Sequence, residues 1–147
     1  GGIKPNIACG LVLVAPHFFV EDISITSIKS ARQAFDSGVL RSGLEKYHGP
    51  NTAEAFNGWN GAWLNPQFRN WNITKYLADI TVPVLGLQGI DDEYGTAAQL
   101  AAMDVERAGP TTTRFLGQCG HAPHHDQAAI ATDLIAEFIA QSPEIGI

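Results

Sequence analysis

Two short polar segments of the sequence contain the side chains best suited to catalysis. The first, "GIDDEYG" from Gly89 to Gly95, contains the adjacent carboxylates Asp91 and Asp92. The second, "GQCGHAPHHDQ" from Gly117 to Gln127, contains His121. A carboxylate that accepts the Nδ1–H of a histidine fixes the tautomer of the ring and stabilises the imidazolium that forms when Nε2 takes a proton from a nucleophile. The two segments therefore predict the acid and the base of a hydrolytic triad.

The second segment also contains side chains that can bind metal. Within "HAPHHD" these are His121, His124, His125 and Asp126, and histidine and carboxylate are both zinc ligands. The spacing argues against such a site, because adjacent histidines tend to point apart and no second ligand pair occurs at a recognised spacing. We therefore expect no metal, and we expect His124 and His125 to begin the last helix or to face solvent.

Each of the two polar segments follows an apolar run that predicts a buried strand. "VPVLGLQG" (Val82–Gly89) precedes the two acids, and the weaker candidate "TTTRFLG" (Thr111–Gly117) precedes the histidine. A third run, "GLVLVAP" (Gly10–Pro16), has the pattern of a strand covered on both faces. Ligands bind at the carboxyl ends of parallel strands, so we expect the acid and the histidine to meet there.

Two segments have the periodicity of amphipathic helices. Residues 96–107 place Ala98, Ala101 and Val105 on one face and end at a Gly-Pro stop signal. Residues 127–141 carry one apolar face, formed by Ile130, Leu134, Ile135, Phe138 and Ile139. The alternation of strand and helix predicts an α/β fold with right-handed crossovers in a parallel sheet.

Roughly sixty residues separate the first two predicted strands, far more than a crossover connection needs. Apolar residues recur there at helical spacing around Phe35, Leu44 and Trp59, with breaks at Gly38 and at Gly49-Pro50. We predict three short helices followed by a loop. The predicted organisation is a core strand with its lead-in at 1–22, a helical insertion at 23–80 and an α/β core at 81–147.

The order of these features resembles the α/β-hydrolase fold superfamily. "VPVLGLQGIDDEYG", a helix, a strand and then "GHAPH" are similar to the C-terminal half of that family, in which the acid precedes the histidine. By this resemblance Asp92 is the catalytic acid, with Asp91 as the alternative, and His121 is the catalytic histidine. The insertion resembles the family's helical cap. The implied activity is esterase-like hydrolysis of an ester or a related acyl or carbon–carbon bond, without a cofactor.

The nucleophile of that family has no counterpart in the sequence. The family's serine lies in a G-x-S-x-G turn, where glycines on both sides provide steric clearance, and none of these serines has both glycines: Ser24, Ser27, Ser30, Ser37, Ser42 and Ser142. Cys119 lies only two residues before His121 and is followed there by histidine instead of glycine. We therefore expect a fragment of a longer enzyme, inactive by itself.

The first predicted strand of such a fragment would have an unpaired edge, which is prone to pair with another chain. The expected partner is the missing N-terminal half or a second copy of the chain. The alternative interpretation is a noncatalytic, hydrolase-like interaction module that uses this edge or the insertion.

Aromatic residues and one histidine are the candidates for substrate binding. His17, Phe18 and Phe19 directly follow the first strand, and Trp59 and Trp63 lie in the insertion. An aromatic lining would suit an apolar or aromatic acyl substrate. Packing within a core explains large aromatic residues equally well, so both interpretations stay open.

Composition and charge disfavour several other functions. The formal charge of −6, without a basic stripe, disfavours binding to nucleic acid. The longest apolar run is broken by Pro16 and His17 and is shorter than the about 20 residues that cross a bilayer. Cys9 and Cys119 lack C-x-x-C spacing, which disfavours a disulfide scaffold and favours a reducing, cytoplasmic compartment.

Overall fold

The sheet of the protein consists of three parallel strands within residues 8–141, which the computed structural model describes. Residues 1–7, with the start of the predicted lead-in, and residues 142–147, with Ser142, lie outside the described part. The strands, in their spatial order, are β1 (Leu11–Val14), β2 (Val84–Gly89) and β3 (Thr111–Leu116). The predicted parallel α/β sheet of about three strands is confirmed.

The central strand β2 is buried along its whole length. It pairs with β1 on one side and with β3 on the other, so that Leu87 lies opposite both Val14 and Arg114. This position explains its continuous apolar sequence, which is typical of a parallel strand covered on both faces. Because β2 and β3 are parallel neighbours, their carboxyl ends place the two polar segments side by side.

The insertion forms a compact unit of its own, Phe19–Asn72. In the core unit, a 3₁₀ turn over Thr74–Asp79 buries Leu77 and packs against the helix Ala97–Glu106. The predicted limits of the insertion, residues 23 and 80, stay predictions. The three predicted helices are present as α1 (Asp22–Asp36), α2 (Val39–His48) and α3 (Thr52–Leu64), with 3₁₀ turns at Gly49–Asn51 and Pro66–Asn70.

Aromatic stacking and one buried amide hold the helices of the insertion together. The ring of Phe35 on α1 stacks on Phe56 of α3 with centroids 3.9 Å apart. The fully buried Asn60 accepts a hydrogen bond from Arg32 Nε at 3.0 Å and donates one to the Ile28 carbonyl at 2.9 Å. These contacts satisfy the polar groups of Asn60, so its burial costs little.

The core unit contains α4 (Ala97–Glu106), α5 (Pro123–Asp126) and α6 (Ala128–Gln141). The predicted helix at residues 96–107 is present as α4, but the predicted face is wrong, because Ala98, Ala101 and Val105 are exposed. The helix instead buries Gln99, Leu100 and Met103.

The reason for this orientation of α4 lies in β2. A Cβ added at Gly86 would lie 2.6 Å from Met103 Cε and 2.9 Å from Leu100 Cδ2. The two large side chains therefore fill the space that the glycine leaves on the sheet. Burial of large apolar side chains stabilises a fold far more than burial of alanines, so the larger residues determine which face of α4 packs inward.

The helix α6 packs against a hydrophobic cluster that includes residues of β2 and β3. Leu134, Ile135 and Phe138 contact a buried cluster made of Leu85, Leu87, Leu116, Cys119 and Ala131. Ile130 and Ile139, predicted on the same face, are exposed at 49% and 63%, so the apolar stripe is wider than the surface it buries. Between residues 8 and 141 no helix is long and apolar enough to cross a bilayer.

Candidate active site

The turn after β2 directs one of its two adjacent acids inward. Asp91 is exposed, whereas the side chain of Asp92 is 1% exposed. Asp92 Oδ1 accepts the backbone N–H of Tyr94 at 2.8 Å and of Gly95 at 3.2 Å. An aspartate that accepts backbone N–H groups two and three residues ahead closes a tight local turn, and this turn fixes the direction of its carboxylate.

A close approach of two loops brings the histidine segment to this turn. Asp91 N–H donates to the Cys119 carbonyl at 2.9 Å, and Ile90 N–H donates to the Leu116 carbonyl at 2.9 Å. A Cβ at Gly89 would overlap the carbonyl oxygens of Cys119 and Gly120. Only glycine at position 89 lets the backbones come this close, so the residue that ends β2 is part of the site's construction.

The loop after β3 is held by the side chains of Asp126, the last residue of α5, and of Gln127, which follows it. Gly120 N–H donates to Asp126 Oδ2 at 2.9 Å, and Gln127 Nε2 donates to the carbonyls of Gly117 and Gln118 at 2.9 and 3.1 Å. Gln118 has a φ of 52°, a left-handed conformation that few non-glycine residues adopt. These bonds stabilise the bend that places His121 above the end of β2.

The structure brings Asp92 and His121 together. Nδ1 of His121 lies 3.0 Å from Asp92 Oδ1 and 3.1 Å from Oδ2. The His121 side chain is 36% exposed, whereas the Asp92 side chain is buried. The ring thus turns one nitrogen to a buried carboxylate and keeps partial access to solvent, which is the arrangement that a histidine base requires.

The electrostatics of this pair favour its charged form. Burial by itself would raise the pKa of Asp92, but the hydrogen bond from His121 and those from the Tyr94 and Gly95 backbone together hold it below its ordinary value. The hydrogen bond to Asp92 raises the pKa of His121, against the opposing effect of burial. Because one pKa is lowered and the other is raised, the carboxylate stabilises an imidazolium at His121.

Two further rings flank the imidazole of His121. The Tyr94 ring centroid lies 5.0 Å away at a tilt of 57°, and the His17 centroid lies 5.5 Å away at 41°. Burial, with the nearby charges of Glu93 and Asp92, raises the pKa of Tyr94, so its phenol stays neutral. Sequence reasoning selected His17 and did not select Tyr94, whose signal was its place in the acid-bearing segment.

The other predicted pocket residues lie in different surroundings. Phe18 is buried in the core unit, and its N–H donates to Gln99 Oε1 at 2.7 Å. In the insertion unit, Phe19 pairs with Asn72 in an isolated antiparallel bridge. Their role in binding substrate remains a prediction.

The two predicted tryptophans lie in aromatic clusters of the insertion unit. Trp59 is 40% exposed and meets Phe56 edge-on at 5.7 Å. Trp63 meets Phe68 at 5.3 Å and Trp71 at 6.1 Å. Packing of this kind stabilises the insertion, and a contact with substrate remains a prediction for both residues.

The remaining histidines of the segment form a separate, exposed pair. His124 and His125 lie in α5, and His125 Nδ1 is 3.0 Å from Asp126 Oδ1 with 84% of the histidine side chain exposed. Among the described residues no three histidine, cysteine or acidic side chains are grouped so as to hold a metal ion.

Cys119, two residues before His121, is a poor nucleophile. Cys119 is 2% exposed and its Sγ lies 3.6 Å from the Gly120 carbonyl oxygen. Burial, together with the charges of Asp126, Asp92 and Asp91, raises the pKa of the Cys119 thiol. Since the thiolate is the reactive species, this residue packs in the core.

Comparison with known proteins identifies the fold. No protein-family profile and no curated protein sequence matches the chain. Solved structures do match, among them NosK from Streptomyces actuosus, with a TM-score of 0.68 at 21% identity over 95% of this chain and 61% of that one. The chain spans less than two thirds of that protein's length.

Two further solved structures are similar. A serine hydrolase involved in carbazole degradation, the CarC enzyme, has a TM-score of 0.63 at 16% identity over 89% of this chain and 54% of its own. The esterase RhEst1 from Rhodococcus sp. ECU1013 has a TM-score of 0.62 at 17% identity over 92% and 57%. The predicted resemblance is confirmed at the level of fold: the chain has the structure of the C-terminal part of an α/β hydrolase.

Proposed function

We propose that this chain is the C-terminal part of an α/β hydrolase in which Asp92 and His121 are the acid and the base of the catalytic triad. The observation that carries the proposal is the bond between His121 Nδ1 and the buried carboxylate of Asp92. The two residues lie beyond the ends of neighbouring parallel strands, where α/β sheets bind ligands.

The proposed mechanism assigns one role to each side chain. Asp92 holds the His121 ring with Nδ1 protonated, so that Nε2 is a free base. Nε2 takes the proton of a nucleophile that attacks the substrate carbonyl and later gives it to the leaving group, while Asp92 stabilises the imidazolium between these steps. Because no serine of the sequence lies in a G-x-S-x-G turn, the proposal requires that the nucleophile and the donors that stabilise the oxyanion come from outside these 147 residues.

The proposed substrate is an ester or a related acyl or carbon–carbon bond with an apolar or aromatic acyl group. Two observations support it. The rings of Tyr94 and His17 flank the His121 imidazole at centroid distances of 5.0 and 5.5 Å, and aromatic walls favour apolar groups. An esterase and a serine hydrolase are among the solved structures of similar fold.

A panel of p-nitrophenyl esters with short, long and aromatic acyl groups tests the proposal on the protein as its complete gene encodes it. We expect turnover, and we expect a covalent phosphonate inhibitor to label a residue outside the present sequence. Absence of turnover and labelling across the panel would remove the esterase proposal.

A noncatalytic interaction module is the second candidate. It is favoured by β1, which among residues 8–141 pairs on one side only, with β2. A free strand edge binds an added strand through backbone hydrogen bonds. This role does not require a buried acid bonded to a histidine, and therefore the enzyme is our first candidate.

A further inference from the structure

We propose that Gln88 is the positioning residue of the Asp92–His121 pair, which it acts on through Asp92 Oδ2. The inference deepens the proposed function and depends on it for its catalytic meaning. Gln88 is the residue before Gly89 at the end of β2, and it is 1% exposed. Within residues 8–141 the Gln88 side chain donates to Asp92 and to Gly95 and not to His121, so its effect on the base passes through the acid.

The Gln88 amide nitrogen contacts two acceptors of the acid turn. Nε2 donates to the Gly95 carbonyl at 2.8 Å and to Asp92 Oδ2 at 3.3 Å. Both acceptors lack a proton, so the amide cannot be reversed without setting its oxygen against two other oxygens. The orientation of the Gln88 side chain is therefore determined by the acid and by the turn together.

Gln88 completes the set of donors around the carboxylate. Asp92 Oδ1 accepts two backbone N–H groups, whereas among residues 8–141 the donors to Oδ2 are the Gln88 amide and His121. Gln88 also binds the carbonyl of Gly95, whose N–H is one of the Oδ1 donors. Removal of the amide would release Oδ2 and loosen the residue that helps to hold Oδ1.

The space around the amide is closed. A Cβ added at Gly95 would lie 3.4 Å from Gln88 Nε2 and 3.3 Å from His17 Cε1. A Cβ at position 95 would thus be in van der Waals contact with the amide and slightly too close to the ring that flanks His121. The amide therefore has little free space on the side of Gly95.

Stability of the strand does not explain a glutamine at this position. Gln88 Oε1 is buried and has no hydrogen-bond partner among the described residues. A buried polar atom without a partner destabilises a fold, and an apolar side chain in a fully buried strand avoids that cost. Packing therefore does not explain an amide at this position, whereas its hydrogen bond to Asp92 does.

Substitution of Gln88 by methionine in the protein as its complete gene encodes it tests the inference. Methionine has a similar length, fills the space and cannot donate. We expect the pKa of His121, measured by NMR titration of the ring, to fall toward its ordinary value. Loss of the donor alone would make the Asp92 carboxylate more basic and raise the pKa of His121, so a fall reports a carboxylate displaced from the ring. We also expect kcat to fall about tenfold with little change in KM.

The titration must be read against every group that faces the imidazole. These are Asp92, Glu93, Tyr94 and His17, and all of them remain in the variant. Gln141→Met is the control, since Gln141 also donates its amide to a carboxylate, Glu137 Oε1 at 3.1 Å, but on the exposed surface of α6. The control should leave the pKa of His121 unchanged.

Two results would overturn the inference. One is an unchanged or raised pKa of His121 in a folded Gln88→Met protein. The other is unfolding of both Gln88→Met and Gln88→Leu, which would assign the residue to the stability of β2. The NMR readout needs no turnover, so a lowered pKa in an inactive protein would retain the positioning role and reject the proposed function.

Discussion

Nδ1 of His121 lies 3.0 Å from Oδ1 of Asp92, although 29 positions separate the two residues in the sequence. The contact depends on two neighbouring parallel strands that end at one edge and on the glycine at position 89, where the two following loops meet. The catalytic and pH-dependent behaviour that we expect of the protein depends on this contact between Asp92 and His121.

Replacement of the two adjacent acids should have unequal effects on catalysis. Asp92→Asn keeps the shape but removes the charge that selects the tautomer of His121, so we expect kcat to fall by about 10³- to 10⁴-fold. Asp91→Asn removes the charge of an exposed side chain. The hydrogen bond from Asp91 to Cys119 comes from the backbone N–H and is kept in the variant. Steady-state kinetics should show nearly normal kcat for Asp91→Asn, and equal losses would refute the assignment.

The pH dependence of kcat/KM should report the raised pKa of His121. The base must be neutral, so activity should decline as pH falls through that pKa, starting at a higher pH than for an unperturbed histidine. Loss of the Asp92 charge removes the main cause of the shift. The acid limb measured for Asp92→Asn should therefore move to lower pH, and a stationary limb would mean that another group controls it.

The stability of the fold should depend on pH through the same pair. The raised pKa of His121 stabilises the fold below the histidine pKa of the unfolded chain, and this contribution is lost as pH rises through the folded pKa. The lowered pKa of Asp92 stabilises the fold above the carboxyl pKa of the unfolded chain, and this is lost as pH falls through the folded pKa. Both contributions are fully present between the carboxyl pKa and the histidine pKa of the unfolded chain, which is a mildly acidic range. The destabilisation caused by Asp92→Asn, measured by denaturant unfolding, should be largest in that range.

Alanine at position 89 should disrupt the contact between the two loops. Its Cβ would overlap two backbone oxygens that cannot move aside as a side chain could, so we expect a destabilisation of about 1–3 kcal/mol or more. Gly117→Ala is the matched control, because a Cβ there meets nothing within 4 Å. Chemical denaturation of both variants compares them, and similar midpoints would contradict the packing described here.

The free edge of β1 should make the 147-residue chain self-associate. In the described part β1 pairs only with β2, and unpaired edges bind other strands. Size-exclusion chromatography with light scattering should show dimers or larger species that increase with concentration. A monomer at every concentration would count against an accessible edge and, with it, against the interaction module.

The strands were predictable from sequence because their signals are local. The runs at Val82–Gly89 and Gly10–Pro16 are apolar and bounded by glycine or proline, and the structure contains β2 and β1 within them. The face of α4 was not predictable from spacing, because the alanine pattern carried no information about the space above Gly86. The volumes of Leu100 and Met103 determined that face.

The site shows the same division between local and tertiary information. Asp92 and His121 could be selected because each follows a strand in a recognisable order of elements. Gln88 could not be selected, since its contact with Asp92 depends on a turn that folds back on the end of β2. Tyr94 had only its place in the acid-bearing segment as a signal, and its contact with the His121 ring depends on the same turn. A residue that acts by contact across a turn leaves no periodic signal in the sequence.

The most direct test of His121 as the catalytic base compares two variants of the complete protein, His121→Ala and His125→Ala. The measurement is the turnover of an active ester by each variant. Both histidines bond to an aspartate at 3.0 Å, but only His121 bonds to a buried one. We expect His121→Ala to lower kcat by about 10⁴-fold or more in a protein that remains folded, and His125→Ala to keep normal turnover. Equal turnover in the two variants would show that His121 is not the base.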